Sequence, residues 1–240
     1  MAALAIALSA PISGAAVSQP LADVVVLGEV HDNPTHHLEQ ARLISELRPT
    51  AVVFEMLTPV QAARAGPDTP RDERLGALLE WEASGWPDFT TYLPIFEAMP
   101  PGAAILGGGG DDVRDLSAFG LDVPLPPGQQ AAREALQAAA HCDALPADVL
   151  PAFVARQRET DARLARATLD ALAAHGPPVA LIAGNGHART DWGVPAAIAR
   201  AAPDVSVHAV VQGEGGDVPP GDAVLTSAAP ERGDPCAALR

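Results

Sequence analysis

The feature that most constrains the fold of this chain is a set of short, mainly apolar runs rich in β-branched residues. Residues 23–27 read DVVVL, residues 51–54 read AVVF and residues 179–183 read VALIA. Apolar runs without polar alternation are typical of strands buried on both faces, as strands are in parallel sheets. Further runs that predict strands occupy residues 103–106, 205–211 and 223–226. Together the runs predict a mainly parallel sheet.

Helical patterns separate these predicted strands. Apolar residues recur at helical spacing over residues 35–48 until Pro49 stops the helix, so the first two strands predict a right-handed βαβ unit. Residues 58–99 look helical and hold most of the aromatic side chains, which predicts an insertion before the third strand. Further helices are predicted over residues 129–141, 147–175 and 195–201. We expect an α/β fold, a mainly parallel sheet with flanking helices and a helical insertion, as one domain over residues 23–240.

Charged side chains alternate in sign along part of the predicted helix over residues 147–175. Arg158, Arg163 and Arg166 stand among Glu159 and Asp161. This alternation is typical of a solvated helix face. We therefore expect these residues to lie in solvent.

The charge balance excludes some classes of partner. The chain has 30 acidic and 15 basic residues, a net charge of -15, and no lysine. An acidic surface repels phosphate backbones, so we expect no nucleic-acid partner. Cationic ligands or metal ions suit this surface better. Without lysine, no Schiff-base mechanism is available to the chain.

The amino-terminal residues resemble a secretion signal. Residues 1–22 carry no charge, and an apolar stretch over residues 3–12 precedes the small residues 13–16. This is the pattern of a signal peptide, although the basic first region is missing. We expect a periplasmic or otherwise exported protein, with a buried amino-terminal strand and a cytoplasmic location as the alternative.

The two cysteines, Cys142 and Cys236, are far apart in the sequence and form no CxxC or CxxCH motif. Covalent c-type haem attachment is therefore excluded. In an exported protein the two thiols would pair and tie the carboxyl-terminal tail to the body. The alternative is that both are unpaired small hydrophobic residues.

Polar residues with useful chemistry follow three of the predicted strands. Glu29 and His31 follow the first strand, Glu55 follows the second, and His187 follows the run at residues 179–183. Ligands of parallel α/β proteins bind beyond the carboxyl ends of the strands, so these segments should converge on one pocket. Two carboxylates and two imidazoles suit a divalent metal ion or acid–base work on a bound water.

Each of these residues also has a simpler explanation when taken alone. Glu55 could cap a helix, and a histidine after a glycine turn is often a hydrogen-bonding loop residue. The glycine run at residues 107–110 lets the backbone approach a neighbour closely, but no GKS or GKT motif follows it, so it is weak support for a phosphate site. The convergence of the strand ends is therefore the main argument for a site.

Several segments resemble the ChaN-like haem-binding uptake family of the Tiki superfamily. They are GEVHDNPTHHLEQ, VVFEML, IAGNGHARTDWGVP, the HC pair at residues 141–142 and DPC at residues 234–236. The resemblance implies an exported protein of an iron-uptake system that binds haem or iron and pairs as a homodimer around haem. The wider superfamily implies the alternative, a metal-dependent hydrolase that uses Glu29, His31, Glu55 and His187. The glycine run departs from the polar segment expected after the third strand.

Haem also requires an axial ligand, and three residues are candidates. Tyr92, the only tyrosine, lies in the aromatic insertion, and His36 and His37 begin the first predicted helix. Tyrosine and histidine are both established haem ligands. The alternative is that Tyr92 is a core aromatic and that the histidines are polar residues of a first helical turn.

Overall fold

The structure is a computed structural model that describes residues 22–111, 115–234 and 236–237. The predicted signal peptide at residues 1–22 lies outside these ranges except for its last residue. Within them the strands are β1 (Val24–Glu29), β2 (Ala51–Phe54), β3 (Ala104–Gly107), β4 (Val179–Gly184), β5 (Val207–Gly213) and β6 (Ala223–Thr226). The α-helices are α1 (Pro34–Leu47), α2 (Pro59–Ala62), α3 (Arg74–Leu78), α4 (Phe89–Ala98), α5 (Pro127–Ala140), α6 (Leu150–His175), α7 (Asn185–Ala188) and α8 (Val194–Ala201).

The described strands form one sheet in the order β3-β2-β4-β1-β5-β6. Every strand pair in this sheet is parallel. The predicted α/β class and parallel sheet are therefore confirmed. The strands β1 and β2 are not neighbours, because β4 lies between them and pairs with both.

Local signals in the sequence fix the ends of the first helix. The Asn33 side chain accepts a hydrogen bond from the Thr35 N–H, and Pro34 occupies the first helical turn. An asparagine cap and a proline at this position both favour a helix start. The helix ends at Arg48, whose φ of 50° is left-handed, just before Pro49. The predicted helix over residues 35–48 thus differs by one residue at each end.

Two hydrophobic clusters cover the two faces of the sheet. On one face, Leu27 and Phe54 pack with Ile44 of α1 and with the aromatic residues of α4. On the other face, Val26 and Leu181 pack with residues of α6 and α8. Strands buried on both sides explain why their sequences show no polar alternation.

The predicted helical insertion between β2 and β3 is present. It contains α2, α3, a 3₁₀ turn at Trp81–Ser84 and α4. Its aromatic rings pack together and against the sheet. Trp81 and Tyr92 have ring centres 4.9 Å apart, and Phe96 stacks at 4.4 Å on Phe54 of β2. The insertion therefore completes the core on one face of the sheet.

Other predicted boundaries differ by a few residues. The helix expected over residues 147–175 begins at Leu150, and the strand expected over residues 205–211 is Val207–Gly213. The glycine-rich segment after β4 forms the short helix α7 instead of an open turn. Helical backbone there brings His187 back toward the sheet edge.

The two cysteines pair as predicted, with Cα atoms of Cys142 and Cys236 5.6 Å apart in a disulfide. The bridge ties the tail to the segment after α5. Among the described residues, no helix is long and apolar enough to cross a membrane.

Candidate functional site

The carboxyl ends of β1, β2 and β4 adjoin one another because β4 lies in the middle of the three. Glu29 is level with Gly184 in the sheet register, and the Glu55 N–H donates to the Ile182 carbonyl at 3.0 Å. Side chains that follow these strands therefore meet at one sheet edge, and the prediction that they line one pocket stays a prediction. This arrangement requires that β4 lies in the sheet between β1 and β2, which are consecutive in the sequence.

Glu29 is the centre of a first cluster, which we call the Glu29 cluster: Glu29, His31, His37 and Tyr92. Its buried Oε1 accepts hydrogen bonds from His31 Nδ1 and from the Tyr92 hydroxyl, each at 2.7 Å. Burial alone would raise the pKa of Glu29, but the hydrogen bond from His31 and the close approach of the His31 and His37 imidazoles outweigh burial and hold the pKa at about 2. Glu29 is therefore a carboxylate at neutral pH.

His37 lies against the other oxygen of Glu29. Its Nδ1 is 3.1 Å from the Thr91 carbonyl, which can only accept, so Nδ1 carries a proton. Its Nε2 lies 3.6 Å from Glu29 Oε2, and both atoms are buried without a hydrogen bond. The ring stacks on Tyr92 with centroids 3.9 Å apart. These contacts fix the ring beside Glu29.

His31 is the accessible member of the Glu29 cluster. Its side chain is 33% exposed, and its ring centre lies 4.7 Å from that of Trp86. Because Nδ1 donates to Glu29, the neutral ring presents Nε2 as a lone-pair nitrogen, the arrangement typical of a metal-binding histidine. Burial lowers the pKa of His31, but the hydrogen bond to Glu29 together with the negative charges of Glu55 and Glu29 outweighs burial, so the net shift is upward.

Gly184 makes room for the His31 ring. A Cβ atom at Gly184 would stand 2.7 Å from His31 Nε2, closer than real Cβ contacts. The glycine at the end of β4 is therefore a steric requirement for the observed position of His31.

Glu55 and His187 belong to a second group, which we call the His187 triad: Glu55, Asp161 and His187. His187 Nδ1 lies 2.7 Å from Asp161 Oδ1, and its Nε2 lies 3.4 Å from Glu55 Oε1. Burial would lower the pKa of His187, but Glu55 and then Asp161 outweigh it and raise the pKa well above its usual value. The ring therefore lies between two buried carboxyl groups that favour its protonated form, while burial raises the pKa of Asp161 itself.

A backbone hydrogen bond fixes the Glu55 side chain, and close packing against the glycine run fixes its backbone. Its Oε2 accepts the Gly184 N–H at 2.8 Å, which with His187 lowers the Glu55 pKa although burial raises it. A Cβ at Gly109 would stand 2.1 Å from the Glu55 carbonyl oxygen. The glycine run after β3 therefore supports the Glu55 segment by close backbone packing.

Asp161 is the functional candidate that the sequence interpretation missed. The expected solvated face is wrong at this residue, which is 3% exposed, while Glu159 and Arg166 do lie in partly exposed ion pairs. One signal could have identified it. Asp161 is spaced at helical intervals from the apolar residues Val154, Leu164 and Ala165, all of which are buried.

The four predicted site residues thus come together in two linked groups. The His31 pKa is raised by charge on Glu55 and lowered by charge on His187, so the groups interact electrostatically. Among the described residues, no set of at least three His, Cys, Asp or Glu side chains is arranged to hold a metal ion. The metal-ligand and catalytic roles of Glu29, His31, Glu55 and His187 stay predictions.

The candidate haem ligands are buried and already hydrogen-bonded. Tyr92 is 0% exposed, and burial and the Glu29 charge raise its pKa far above normal, which disfavours a phenolate. His36 Nδ1 accepts the Val30 N–H at 2.9 Å, and His37 is 0% exposed. Their haem-ligand roles stay predictions, and in this structure none offers an open coordinating atom at the surface.

The fold and the site define an all-parallel α/β protein with buried carboxylate–imidazole groups at the carboxyl edge of its sheet. A family model described as haem-binding uptake, Tiki superfamily, ChaN matches residues 18–105 and 111–198. The chain belongs to this haem-binding uptake family.

Two solved structures were found by structural comparison, and the first of them supports the same fold. A solved structure described as cofacial haem binding to ChaN of Campylobacter jejuni is 22% identical, with a TM-score of 0.66 over 85% of this chain and 86% of that chain. The structure of the type III effector HopBA1 is 15% identical, with a TM-score of 0.46 over 86% of this chain and 88% of that chain. A search of the curated proteins finds no match.

Proposed function

We propose that this chain is an exported haem-binding protein of an iron-uptake system. The observation that carries the proposal is the haem-binding family match, which spans the segments after β1, β2 and β4. Cofacial haem binding is described for the ChaN of C. jejuni. By analogy, we propose that two copies of this chain form a homodimer around haem.

His31 is the residue proposed to hold the haem iron. Histidine is a common axial ligand, and a partner on its second nitrogen orients the ring and raises its basicity. His31 has such a partner in Glu29, and its side chain is 33% exposed while that of His187 is 10% exposed. Trp86 adds an aromatic surface beside it. Tyr92 would then act on the iron site through Glu29.

A haem titration followed by the Soret band tests this assignment. We expect His31→Ala to weaken haem binding at least tenfold, and His208→Ala, a 38% exposed histidine away from this edge, to leave it unchanged. Tyr92→Phe should perturb the spectrum more than His36→Ala, because Tyr92 contacts Glu29 directly. A normal Soret band in the His31 variant would remove His31 from the ligand list.

Export and pairing need separate measurements. The uncharged, apolar residues 3–12 resemble a secretion signal. The disulfide favours an oxidising compartment. Mass spectrometry of the mature protein from the periplasm should show a cleaved amino terminus. Light scattering with and without haem should show a dimer in the presence of haem, and a haem-loaded monomer would contradict the homodimer.

The residues that meet at the sheet edge support a second candidate, a metal-dependent hydrolase that would use Glu29, His31, Glu55 and His187. Carboxylates and imidazoles suit acid–base work on a bound water, and a raised pKa such as that of His187 between Glu55 and Asp161 is common at functional sites. Metal-stimulated hydrolysis of ester or peptide substrates would support it, with Glu55→Gln as the inactive variant. Haem binding without any turnover would support the first candidate alone.

A further inference from the structure

Arg133 of α5 carries a buried guanidinium without an ion-pair partner in the described part of the chain. The residue is 8% exposed, and its Nε and Nη1 atoms are buried and make no hydrogen bond. The guanidinium carbon lies 5.1 Å from the centre of the Trp192 ring. A buried charge is costly unless it is paired, so this side chain is suited to an anion from outside the chain.

The nearby acids are bound to other residues. Asp161 Oδ1 is hydrogen-bonded to His187 at 2.7 Å, and its buried Oδ2 makes no hydrogen bond. Both oxygens of Asp191 accept from Arg189, at 2.6 and 2.8 Å. Burial lowers the pKa of Arg133 even though these two carboxylates raise it, which is consistent with incomplete compensation of its charge.

Arg133 lines a groove of about 600 Å³, which we call the Arg133 groove. Most of the remaining wall is apolar: Leu136, Ala140, Val154, Trp192, Val218, Pro219 and Pro220. Leu136 is 47% exposed, which is high for a leucine. The polar residues of the wall are Arg133, Gln137, Gln157, Asn185, Arg189 and Asp217. A mainly apolar wall with a small number of polar groups is typical of a small-molecule site.

The Arg133 groove borders the His187 triad. Gln157 and Gly186 line one part of it, and Gln157 Nε2 lies 3.2 Å from His187 Nδ1. A ligand in the groove would therefore contact a residue that touches the triad. A second arginine of the wall, Arg189, is already paired with Asp191, which leaves Arg133 as the arginine of the groove without an ion-pair partner among the described residues.

We propose that the Arg133 groove binds a carboxylic acid that has an apolar body. The carboxylate would pair with Arg133, and the apolar body would lie along Leu136, Val154 and the segment 218–220. A guanidinium pairs with a carboxylate through two parallel hydrogen bonds, which a neutral ligand cannot form. Two sources have this chemistry, a fatty acid and the propionate groups of a porphyrin. The site does not depend on haem coordination by His31.

Calorimetric titration of the full protein with decanoate and with decan-1-ol tests the charge requirement. Metal-free protoporphyrin IX tests the porphyrin source, because without iron it cannot report ligation by His31. We expect at least one of the two acids, decanoate and protoporphyrin IX, to bind. If the fatty acid is the ligand, decan-1-ol should bind at least tenfold more weakly than decanoate. Such a difference is the usual size for a charged hydrogen bond.

Variants separate the groove from the general charge of the protein. Arg133→Gln should weaken binding of the acid at least tenfold, while Arg156→Gln, which removes an exposed arginine of α6, should leave it unchanged. Ala140→Trp places a large ring on an exposed part of the wall and should block the acid while Arg133 is intact. Thermal unfolding should show that Arg133→Gln is folded, since it removes an unpaired buried charge.

Two outcomes would overturn the proposal. One is that neither acid binds the wild-type protein, which would leave Arg133 with a structural role only. The other is that acid binding is equal in wild type, Arg133→Gln and Ala140→Trp, which would place the ligand elsewhere. Loss of haem binding in His31→Ala with normal acid binding would separate this site from the haem proposal.

Discussion

Replacing Tyr92 with Phe removes one hydroxyl from the Glu29 cluster and leaves the ring in place. The Tyr92 hydroxyl donates to Glu29 Oε1 at 2.7 Å, and its ring packs between His37 and Trp81. A hydrogen bond to a charged group contributes about 1.5–3 kcal/mol. We therefore expect Tyr92→Phe to lower the free energy of unfolding by about 2 kcal/mol near neutral pH.

The pH dependence of this effect follows from Glu29. Its pKa falls from the ordinary 4.5 to about 2 in the folded protein, which corresponds to about 3 kcal/mol of stability. A lowered carboxyl pKa gives stability that is present above pH 4.5 and is lost as the pH falls toward 2. The Tyr92→Phe penalty should shrink over the same range, because protonation removes the charged acceptor.

Urea denaturation at about pH 7 and about pH 3 measures both effects. Thr168→Val is a matched control, since it removes a buried hydroxyl that donates to the neutral Leu164 carbonyl at 2.8 Å. Its penalty should be about 1 kcal/mol or less and should not change with pH. A Tyr92→Phe penalty below about 0.5 kcal/mol, or one that is equal at both pH values, would refute the charged hydrogen bond.

Three further predictions concern the His187 triad and the disulfide. Asp161→Ala should lower the free energy of unfolding by about 2–3 kcal/mol in urea denaturation, because it removes the 2.7 Å contact with His187 Nδ1 and leaves Glu55 as the remaining acidic neighbour of the ring. The raised pKa of His187 gives stability that is complete below pH 6.5 and is lost as the pH rises through the raised value, so the stability of His187→Gln should depend less on pH over that range. Replacing Cys142 and Cys236 with Ser should cost about 2–4 kcal/mol in the same assay, and an unchanged midpoint would contradict the disulfide.

Some of the site was predictable because its residues follow strands directly. Glu29 ends β1 and Glu55 follows β2, so their position at the sheet edge follows from the strand pattern alone. His187 was placed at the same edge for the same reason. The partners within the site were not predictable in this way. Asp161 lies 26 residues before His187 on α6, which packs on the face of the sheet opposite to α1. The alternation of charges along α6 wrongly predicted that Asp161 lies in solvent.

The side-chain partners of the candidate haem ligands were likewise not predictable from the sequence. Tyr92 was correctly placed in an aromatic helical insertion, but the sequence does not show that its hydroxyl meets Glu29, 63 residues earlier. The two histidines at the start of α1 are neighbours in sequence with different partners. His36 accepts a backbone N–H, while His37 faces Glu29. The packing of α1 against α4 buries His37 beside Thr91, while His36 is buried against Val30 and Asn33.

The sequence by itself determined the element types, the α/β class and the residues at each strand end, because apolar periodicity, helix caps and prolines act over a few neighbouring residues. The tertiary structure alone decided that β4 lies between β1 and β2, which brings the Glu29 cluster and the His187 triad to one edge. It also decided that His31 is the more accessible of the two imidazoles that follow strands, and that Arg133 is buried without an ion-pair partner in the part of the chain that the structure describes. These properties depend on contacts between distant segments, and local sequence patterns carry no information about which distant charge will be nearby.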